Sequence, residues 1–200
     1  MPTTTVHGQE ITRLQYEAQG FKKAFFVLYN SFMNKEGCEP WMQEGEEGDG
    51  MAVIAVNGCF SIELYLKFLS VEATFDDCLV SGKHMTGHKL DELYDDLSSI
   101  NPTYISDLEN LFSCSSYKGC FKTLKEFLSS IKEYFVKWRY AYSSGAMNFN
   151  LNTMSDVINF LNDYSKEKYR RIADVIANNV APVVDNQTMS IFNLDDIKNQ

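Results

Sequence analysis

Two long segments of the chain carry apolar side chains at alternating spacings of three and four residues, which is the repeat of one face of an α-helix. The first segment covers residues 10–33, with Ile11, Leu14, Ala18, Phe21, Phe25, Leu28 and Phe32. The second covers residues 120–142, with Phe121, Leu124, Leu128, Ile131, Phe135, Trp138 and Tyr142. The repeat predicts two long amphipathic helices whose apolar faces must pack against other elements.

Between these segments, residues 51–71 are apolar on nearly every side. Valine and isoleucine crowd the start of this stretch, which is typical of a strand, but its length favours a helix. Glu63 and Lys67 also lie four residues apart, the spacing of an ion pair on a helix face. A helix that is apolar on several faces is buried on several faces, so we expect this helix at the centre of the fold.

Three further helices are predicted from periodicity and end signals. A loop containing Gly82 and Gly87 precedes residues 88–98, which form a short amphipathic pattern. Asn101 with Pro102 supplies a cap and a first-turn proline for the next helix. Thr153 and Asp156 together resemble a capping box, which predicts the start of the last helix. This helix is expected to stop before Pro182. The whole chain is therefore expected to form a single all-α domain, an up-and-down bundle of about five to six helices.

Two segments show no helical repeat. Residues 37–50 combine glycine, proline and acidic residues, which predicts a flexible acidic loop. A calcium loop is the alternative, but it needs an ordered alternation of acidic ligands that this segment lacks. Residues 183–200 are predicted to be an extended C-terminal arm or a tail.

The charge balance restricts the partners of the chain. Eighteen lysines and arginines against 27 aspartates and glutamates give 18 − 27 = −9, which repels polyanions at long range. A general nucleic-acid coat and an anionic-membrane binder are disfavoured, while a local basic patch stays compatible with this total.

Cysteine usage and hydropathy indicate the compartment. The chain has five cysteines and no secretory signal, which is typical of the reducing cytoplasm. No apolar run approaches the length of a membrane-spanning helix, which is about 20 residues. Together these observations predict a soluble cytoplasmic protein without membrane contact.

Few short motifs in the chain point to chemistry. His84 and His88 lie four residues apart, but Thr86 and Gly87 between them break the helix that would direct both at one metal ion. No third ligand is recognisable, so no metal is predicted, and His88 is expected to hydrogen-bond at a helix N-terminus. The fingerprints of phosphate-binding loops, dinucleotide-binding folds and serine hydrolases are absent, and no cofactor is predicted.

The second striped helix also carries Lys132, Lys137 and Arg139 interleaved with aromatic residues. Cations and aromatic rings together can bind the phosphates and bases of single-stranded RNA. Aromatic-rich helices are nevertheless commonest in protein cores, which favours the interpretation of a core helix with its cations in water.

Three patches occur in one order: SIELYLK at residues 61–67 on the buried helix, GHKLDELY at residues 87–94 at the start of the next, and WRYAY at residues 138–142. In this combination the chain resembles HEPN domains. The resemblance implies a small helical bundle that dimerises. It also implies the setting of that superfamily, which includes metal-independent ribonucleases of toxin–antitoxin, phage-defence and RNA-processing systems.

Active HEPN members use an arginine and a histidine four to six residues apart, placed by both subunits in one cleft. The resemblance puts Arg139 at the arginine position, where it would hold the scissile phosphate. The histidine would fall within residues 144–146, which are serine, glycine and alanine, so the motif is degenerate. His88, on another helix, is the candidate replacement for the missing proton carrier.

Arg139 also has a structural interpretation, in which it pairs with the buried carboxylate of Glu63. Glu63 and Lys67 would then form a polar layer that fixes the register of the helices. This role is favoured for Arg139 over a catalytic one.

These inferences predict a cytoplasmic, homodimeric, HEPN-like helical protein that acts as a non-catalytic binding, regulatory or defence-associated module, for example in abortive infection. The alternative is a metal-independent endoribonuclease that uses Arg139 and the displaced histidine His88. RNA or a nucleotide is the expected ligand, and a cognate antitoxin or nucleotidyltransferase the expected protein partner. A purely structural partner protein, without any anion-binding cleft, is the third class.

Overall fold

The computed structural model describes residues 3–34, 47–116, 119–132 and 150–179. Six helices make up 79% of this described part, and one two-stranded sheet is its other regular element. The prediction of a helical fold is confirmed, with the small sheet as an addition to it.

The elements follow one another in the order β1 (Thr3–His7), α1 (Gly8–Asn34), α2 (Glu47–Ala73), β2 (Ser81–Met85), α3 (Leu90–Ile100), α4 (Pro102–Cys114), α5 (Leu124–Ile131) and α6 (Leu151–Asn179). The core is formed by the apolar faces of all six helices. Between Ser61 and Val71, nearly every side chain of α2 is buried, whichever face it lies on. The central position predicted for this helix is therefore confirmed.

Helices α1, α2 and α6 form the long part of the bundle. Helix α1 runs antiparallel to α2, and the Ser61 hydroxyl on α2 donates to the Ala18 carbonyl on α1 at 3.0 Å. Helix α6 runs parallel to α2, where the Tyr65 hydroxyl donates to the Asn162 side-chain oxygen at 3.0 Å. These bonds satisfy polar groups inside the core, where an unpaired group costs about 1–3 kcal/mol.

Helix α3 packs against α2, and α4 and α5 both pack against α3. Helix α4 also contacts α6 through aromatic rings. Asn101 caps α4 by accepting from the Tyr104 N–H at 3.0 Å, with Pro102 at the first position, so the predicted cap is confirmed. The Glu109 carboxylate on α4 accepts from the Tyr94 hydroxyl and from the Leu124 N–H at the start of α5. One side chain thus connects three helices.

The sheet pairs β1 with β2 in antiparallel register, with Thr5 opposite Lys83. The prediction of a loop around Gly82 is wrong for residues 81–85, because this strand forms only by pairing with a segment at the far N-terminal end of the described chain. The other edge of β2 is bonded by α2, whose Ser70 hydroxyl accepts from the Met85 N–H at 3.2 Å and donates to the Lys83 carbonyl at 3.2 Å.

Several helix boundaries differ from the predictions. Helix α3 begins at Leu90 rather than residue 88, and α5 begins at Leu124 rather than residue 120. Residues 47–50, predicted as part of the acidic loop, form the first turn of α2. The predicted cap of α6 at Thr153 is also wrong. The Asn150 side-chain oxygen accepts from the N–H groups of Asn152 at 3.0 Å and Thr153 at 3.2 Å. These are the bonds that an N-cap residue makes, so Asn150 is the cap.

Several predictions concern residues outside the described part. They are the loop at residues 37–46, the helix continuing over residues 133–142 and the C-terminal arm at residues 183–200. Within the described part, the second predicted long helix is represented by α5.

Residues Ala52–Ala73 of α2 are long and apolar enough to cross a membrane. The expectation that no segment of the chain meets that criterion is wrong. In the structure, 67% of the most apolar window of this stretch is buried inside the bundle. This burial is what the core helix of a soluble protein shows.

Candidate functional site

A buried carboxylate joins a lysine and a histidine where α2 meets the segment leading into α3. Glu63 is 4% exposed and Lys67, one helical turn later, is 8% exposed. The Lys67 Nζ donates to Glu63 Oε1 at 2.7 Å. The His88 Nδ1 lies 3.0 Å from Oε1 and 3.2 Å from Oε2 of the same carboxylate. We name these three residues the Glu63 cluster.

Local sequence places each member of the cluster. Glu63 and Lys67 share a face of α2 because residues four apart lie one turn apart. His88 follows Gly87, whose φ is 109°. Residues with a side chain rarely adopt this region of backbone conformation, whereas glycine does so readily. Leu90, two residues after His88, begins α3. The turn at Gly87 therefore lets the chain bring His88 back onto α2.

The cluster holds an accessible imidazole in a fixed orientation. The His88 side chain is 60% exposed, while the carboxylate it contacts is buried. A carboxylate beside Nδ1 favours a proton on that nitrogen, which orients the ring and makes Nε2 the basic nitrogen. The arrangement can therefore receive or deliver a proton at Nε2, or hold an anion when the ring is protonated.

The charges of the cluster nearly cancel. Glu63 and Lys67 form a buried ion pair, and Lys67 directs its ammonium group at the carboxylate. In the first turn of α3, Asp91 accepts from the Lys132 Nζ at 2.9 Å. Among the described residues, the formal charges of these two pairs sum to zero, so they add no net charge to attract a ligand beyond its contact with His88.

The structure brings together Glu63, Lys67 and His88 from the predicted site residues. His88 lies just before Lys89, the N-cap of α3, and its ring contacts Glu63 of α2, whereas the sequence predicted a hydrogen bond at the helix N-terminus itself. Arg139 and residues 144–146 lie outside the described part, so the pairing of Arg139 with Glu63 stays a prediction. The contact between Glu63 and His88 was not predicted, since no local sequence pattern links residues so far apart in the chain.

His84 does not share a site with His88. It lies in β2, where its Nδ1 is 2.8 Å from the Met85 carbonyl oxygen. Within the described residues, no three histidine, cysteine, aspartate or glutamate side chains are grouped so that they would hold a metal ion.

A second set of polar side chains joins α2, α4 and α6, and we name it the Glu72 cluster. The Lys168 Nζ lies 5.7 Å from the ring centre of Tyr104 and 5.4 Å from that of Tyr164. The Arg171 guanidinium lies 3.8 Å from the Glu72 carboxylate. Burial raises the pKa of Glu72 above its ordinary value, and Lys168 and Arg171 oppose that rise. These contacts hold three helices together.

Two other features are weaker candidates for a site. Burial raises the pKa of the Cys59 thiol to about 12, which leaves almost no reactive thiolate near neutral pH. An open groove of about 310 Å³ between α1 and α2 is lined by apolar surface, with Glu17, Gly20, Phe21, Ala24 and Asn57 at its walls. It holds one ionisable group and no proton-transfer pair.

No protein-family model, curated protein or solved structure matches this chain. The candidate site therefore rests on geometry, and the Glu63 cluster is the set of described residues that combines an exposed imidazole with a buried carboxylate.

Proposed function

We propose that this chain is a HEPN-like helical module that binds RNA or a nucleotide through His88 and does not cleave it. The observation that carries the proposal is the contact of the exposed His88 imidazole with the buried Glu63 carboxylate. A buried carboxylate holds the ring where a phosphate can reach it, and a charge-assisted hydrogen bond to phosphate is among the stronger polar contacts.

The resemblance to HEPN domains supports the proposal through the position of the motifs. SIELYLK lies on α2 and GHKLDELY begins at the turn before α3, so the cluster unites residues from two of the three patches. The third patch, WRYAY, lies outside the described residues. We extend to this chain the homodimer, the cytoplasmic setting and the cognate antitoxin or nucleotidyltransferase partner that the resemblance implies.

Binding is favoured over cleavage because the described site supplies one proton carrier and little positive charge. Cleavage of a phosphodiester without metal needs a group that takes a proton from the 2′-hydroxyl and a cation that stabilises the developing charge. Lys67 directs its ammonium group at Glu63. Residues 144–146 hold no histidine, and the formal charge of −9 disfavours loose capture of RNA.

A metal-independent endoribonuclease is the second candidate, and one observation favours it. A carboxylate at Nδ1 of a histidine is the arrangement that orients an imidazole for proton transfer at Nε2. In this case His88 would act as the proton carrier and Arg139 would hold the phosphate.

The test measures binding and cleavage in the same samples. A labelled single-stranded RNA of mixed sequence is titrated with the full chain in EDTA, with fluorescence anisotropy for binding and gel electrophoresis for cleavage. We expect binding without cleavage. Losing one charge-assisted hydrogen bond, about 1.5–3 kcal/mol, should weaken binding of the His88→Ala variant roughly 10- to 150-fold.

His84→Ala is the matched control, because it removes an imidazole four residues away that contacts a backbone carbonyl. It should bind RNA like the wild type. Cleavage in EDTA that is lost in His88→Ala and in Arg139→Ala, with thermal melting unchanged, would establish the endoribonuclease instead. If the wild-type protein neither binds nor cleaves RNA, both candidate functions are wrong. The remaining class is then a structural partner protein.

A further inference from the structure

The small sheet has two edges, and they differ in how their backbone groups are hydrogen-bonded. At the β2 edge, the Met85 N–H donates to Ser70 of α2 and the Lys83 N–H donates to Thr74, which directly follows α2. Ser81 exchanges backbone bonds with Asp76. This edge is therefore closed by the protein's own groups.

The register then shows which groups of β1 face outward. Because the backbone groups of Ser81, Lys83 and Met85 bond on the side away from β1, Gly82 and His84 are the β2 residues that bond to β1. Their partners on β1 are Val6 and Thr4. Backbone groups alternate along a strand, so those of Thr3, Thr5 and His7 point away from the sheet.

Within the part of the chain that the structure describes, this outer edge is open over most of its length. Thr3, Thr4, Thr5 and His7 are exposed. The His7 N–H donates to the Glu10 carboxylate at 3.1 Å, which closes one end. The N–H and C=O groups of Thr5 make no hydrogen bond with any other part of the chain that the structure describes. Natural proteins protect such edges with lysine, proline or a bulge, and β1 carries none of these.

We propose that the outer edge of β1 pairs with β1 of a second copy of this chain, antiparallel and with the two-fold axis at Thr5. This register sets Thr5 opposite Thr5 of the copy and Thr3 opposite His7. Every outward-facing residue then meets an outward-facing residue, so the two Thr5 residues exchange both backbone bonds. The result is a continuous four-stranded sheet shared by two protomers.

Along β1 itself, pairing brings no like charges together, although the Glu10 carboxylate holds the His7 N–H at each end of the pair. β1 has no charged side chain, although the chain as a whole carries −9. The nearest charge in the sheet is Lys83 on β2. In the paired sheet, the two Lys83 residues lie three strand spacings apart, roughly 14 Å, which exceeds the screening length of about 8 Å at physiological salt. Threonine pairs across an antiparallel sheet are also favourable.

This surface specifies how the proposed homodimer forms, and it does not depend on RNA binding at His88. Pairing of five residues buries less area than a standard protein–protein interface. Such an interface buries about 1,200–2,000 Å². We therefore expect dimerisation that depends on concentration between roughly 1 μM and 1 mM.

Sedimentation equilibrium of the full chain over that range is the test. The wild type should pass from monomer to dimer. Thr5→Pro removes the outward N–H and should stay monomeric, because proline is tolerated on an edge strand whose N–H faces solvent. Thr5→Val keeps the N–H group and should dimerise like the wild type. A wild type that is monomeric throughout, or a folded Thr5→Pro protein that dimerises equally, overturns the proposal.

Disulfide cross-linking tests the same pairing if the Thr5→Pro variant does not fold. Bonded residues facing each other across antiparallel strands have Cα atoms about 5.5 Å apart, within disulfide range. Mild oxidation should therefore link two Thr5→Cys chains at residue 5, mapped by peptide mass. In the Thr4→Cys control, the two Cα atoms lie roughly 8 Å apart, and no such link should form. Equal linking of both variants overturns the register.

Unchanged sedimentation of His88→Ala, alongside its loss of RNA binding, separates this proposal from the one at the Glu63 cluster.

Discussion

Glu63 is almost completely buried, and its two carboxylate oxygens are shared between Lys67 and His88. Taking a carboxylate and an ammonium group out of water costs several kcal/mol for each ion, and their mutual attraction offsets that cost only while both are present. The stability of this part of the fold therefore depends on the pair rather than on either side chain.

We predict that Glu63→Leu destabilises the protein by about 3–5 kcal/mol, because it leaves the Lys67 ammonium buried without a counter-charge. The double variant with Lys67→Met should recover most of that loss, since two apolar side chains replace the ion pair. Urea denaturation of the single and double variants measures both changes.

Glu92→Gln serves as the control, because its pair with Lys89 is exposed on both sides. Exposed pairs contribute about 0–1 kcal/mol, so this variant should unfold close to the wild type. A Glu63→Leu protein as stable as Glu92→Gln would show that the buried pair does not hold α2 in place. The folded double variant should lose RNA binding if His88 needs Glu63 for its orientation.

At the scale of elements, the contact of β2 with α2 leaves no room for a side chain at Gly82. A Cβ atom there would lie 2.6 Å from the Val71 carbonyl oxygen and 2.7 Å from the Val71 side chain. The backbone of α2 cannot move away without disturbing the core helix. The strand can therefore pack against this helix only with glycine at that position.

We predict that Gly82→Ala lowers the free energy of unfolding by about 1–3 kcal/mol, the usual cost of overpacking. Gly20→Ala on α1 is the matched control, because a Cβ there meets nothing within 4 Å. Replacing an exposed helical glycine with alanine should stabilise α1 by about 0.5–1 kcal/mol. Opposite changes in urea midpoint are expected, and a Gly82→Ala midpoint at or above that of the wild type contradicts the close packing of β2.

At the scale of the whole molecule, the Glu72 cluster links α2, α4 and α6 and makes stability depend on pH. Burial raises the pKa of Glu72 above its ordinary value of 4.5, against the opposing charges of Lys168 and Arg171. Burial, together with the Glu72 charge, also raises the pKa of Tyr104. The folded protein therefore holds the Glu72 proton to a higher pH than the unfolded chain does.

The sign of the effect follows from this difference. The stability that Glu72 contributes is fully present below its unfolded pKa and is lost as pH rises through its folded pKa. We predict that the stability of the wild type relative to Glu72→Gln falls as pH rises from about 4.5 to 7, across and above the ordinary pKa of a glutamate. Urea denaturation of both proteins at several pH values measures the difference, and a constant or rising difference contradicts the prediction.

Hydrophobic periodicity and helix end signals were sufficient to predict much of the fold from the sequence. The three-four stripe of α1, the all-round apolar character of α2 and the Asn101–Pro102 start of α4 each depend on residues close together in the chain. The start of α6 was misplaced by three residues, because Asn150 and Thr153 both carry a capping oxygen and only the chain path decides which one is used.

The sequence by itself determined that the chain is helical, that α2 is central, and that Glu63 and Lys67 lie one turn apart, since these follow from the geometry of a helix. The tertiary structure alone decided that His88 reaches Glu63, that residues 3–7 pair with residues 81–85, and that Glu72 lies beside Tyr104 and Lys168. Each of these contacts joins residues far apart in the chain, and their cost in chain entropy is offset only by the packing of the whole bundle.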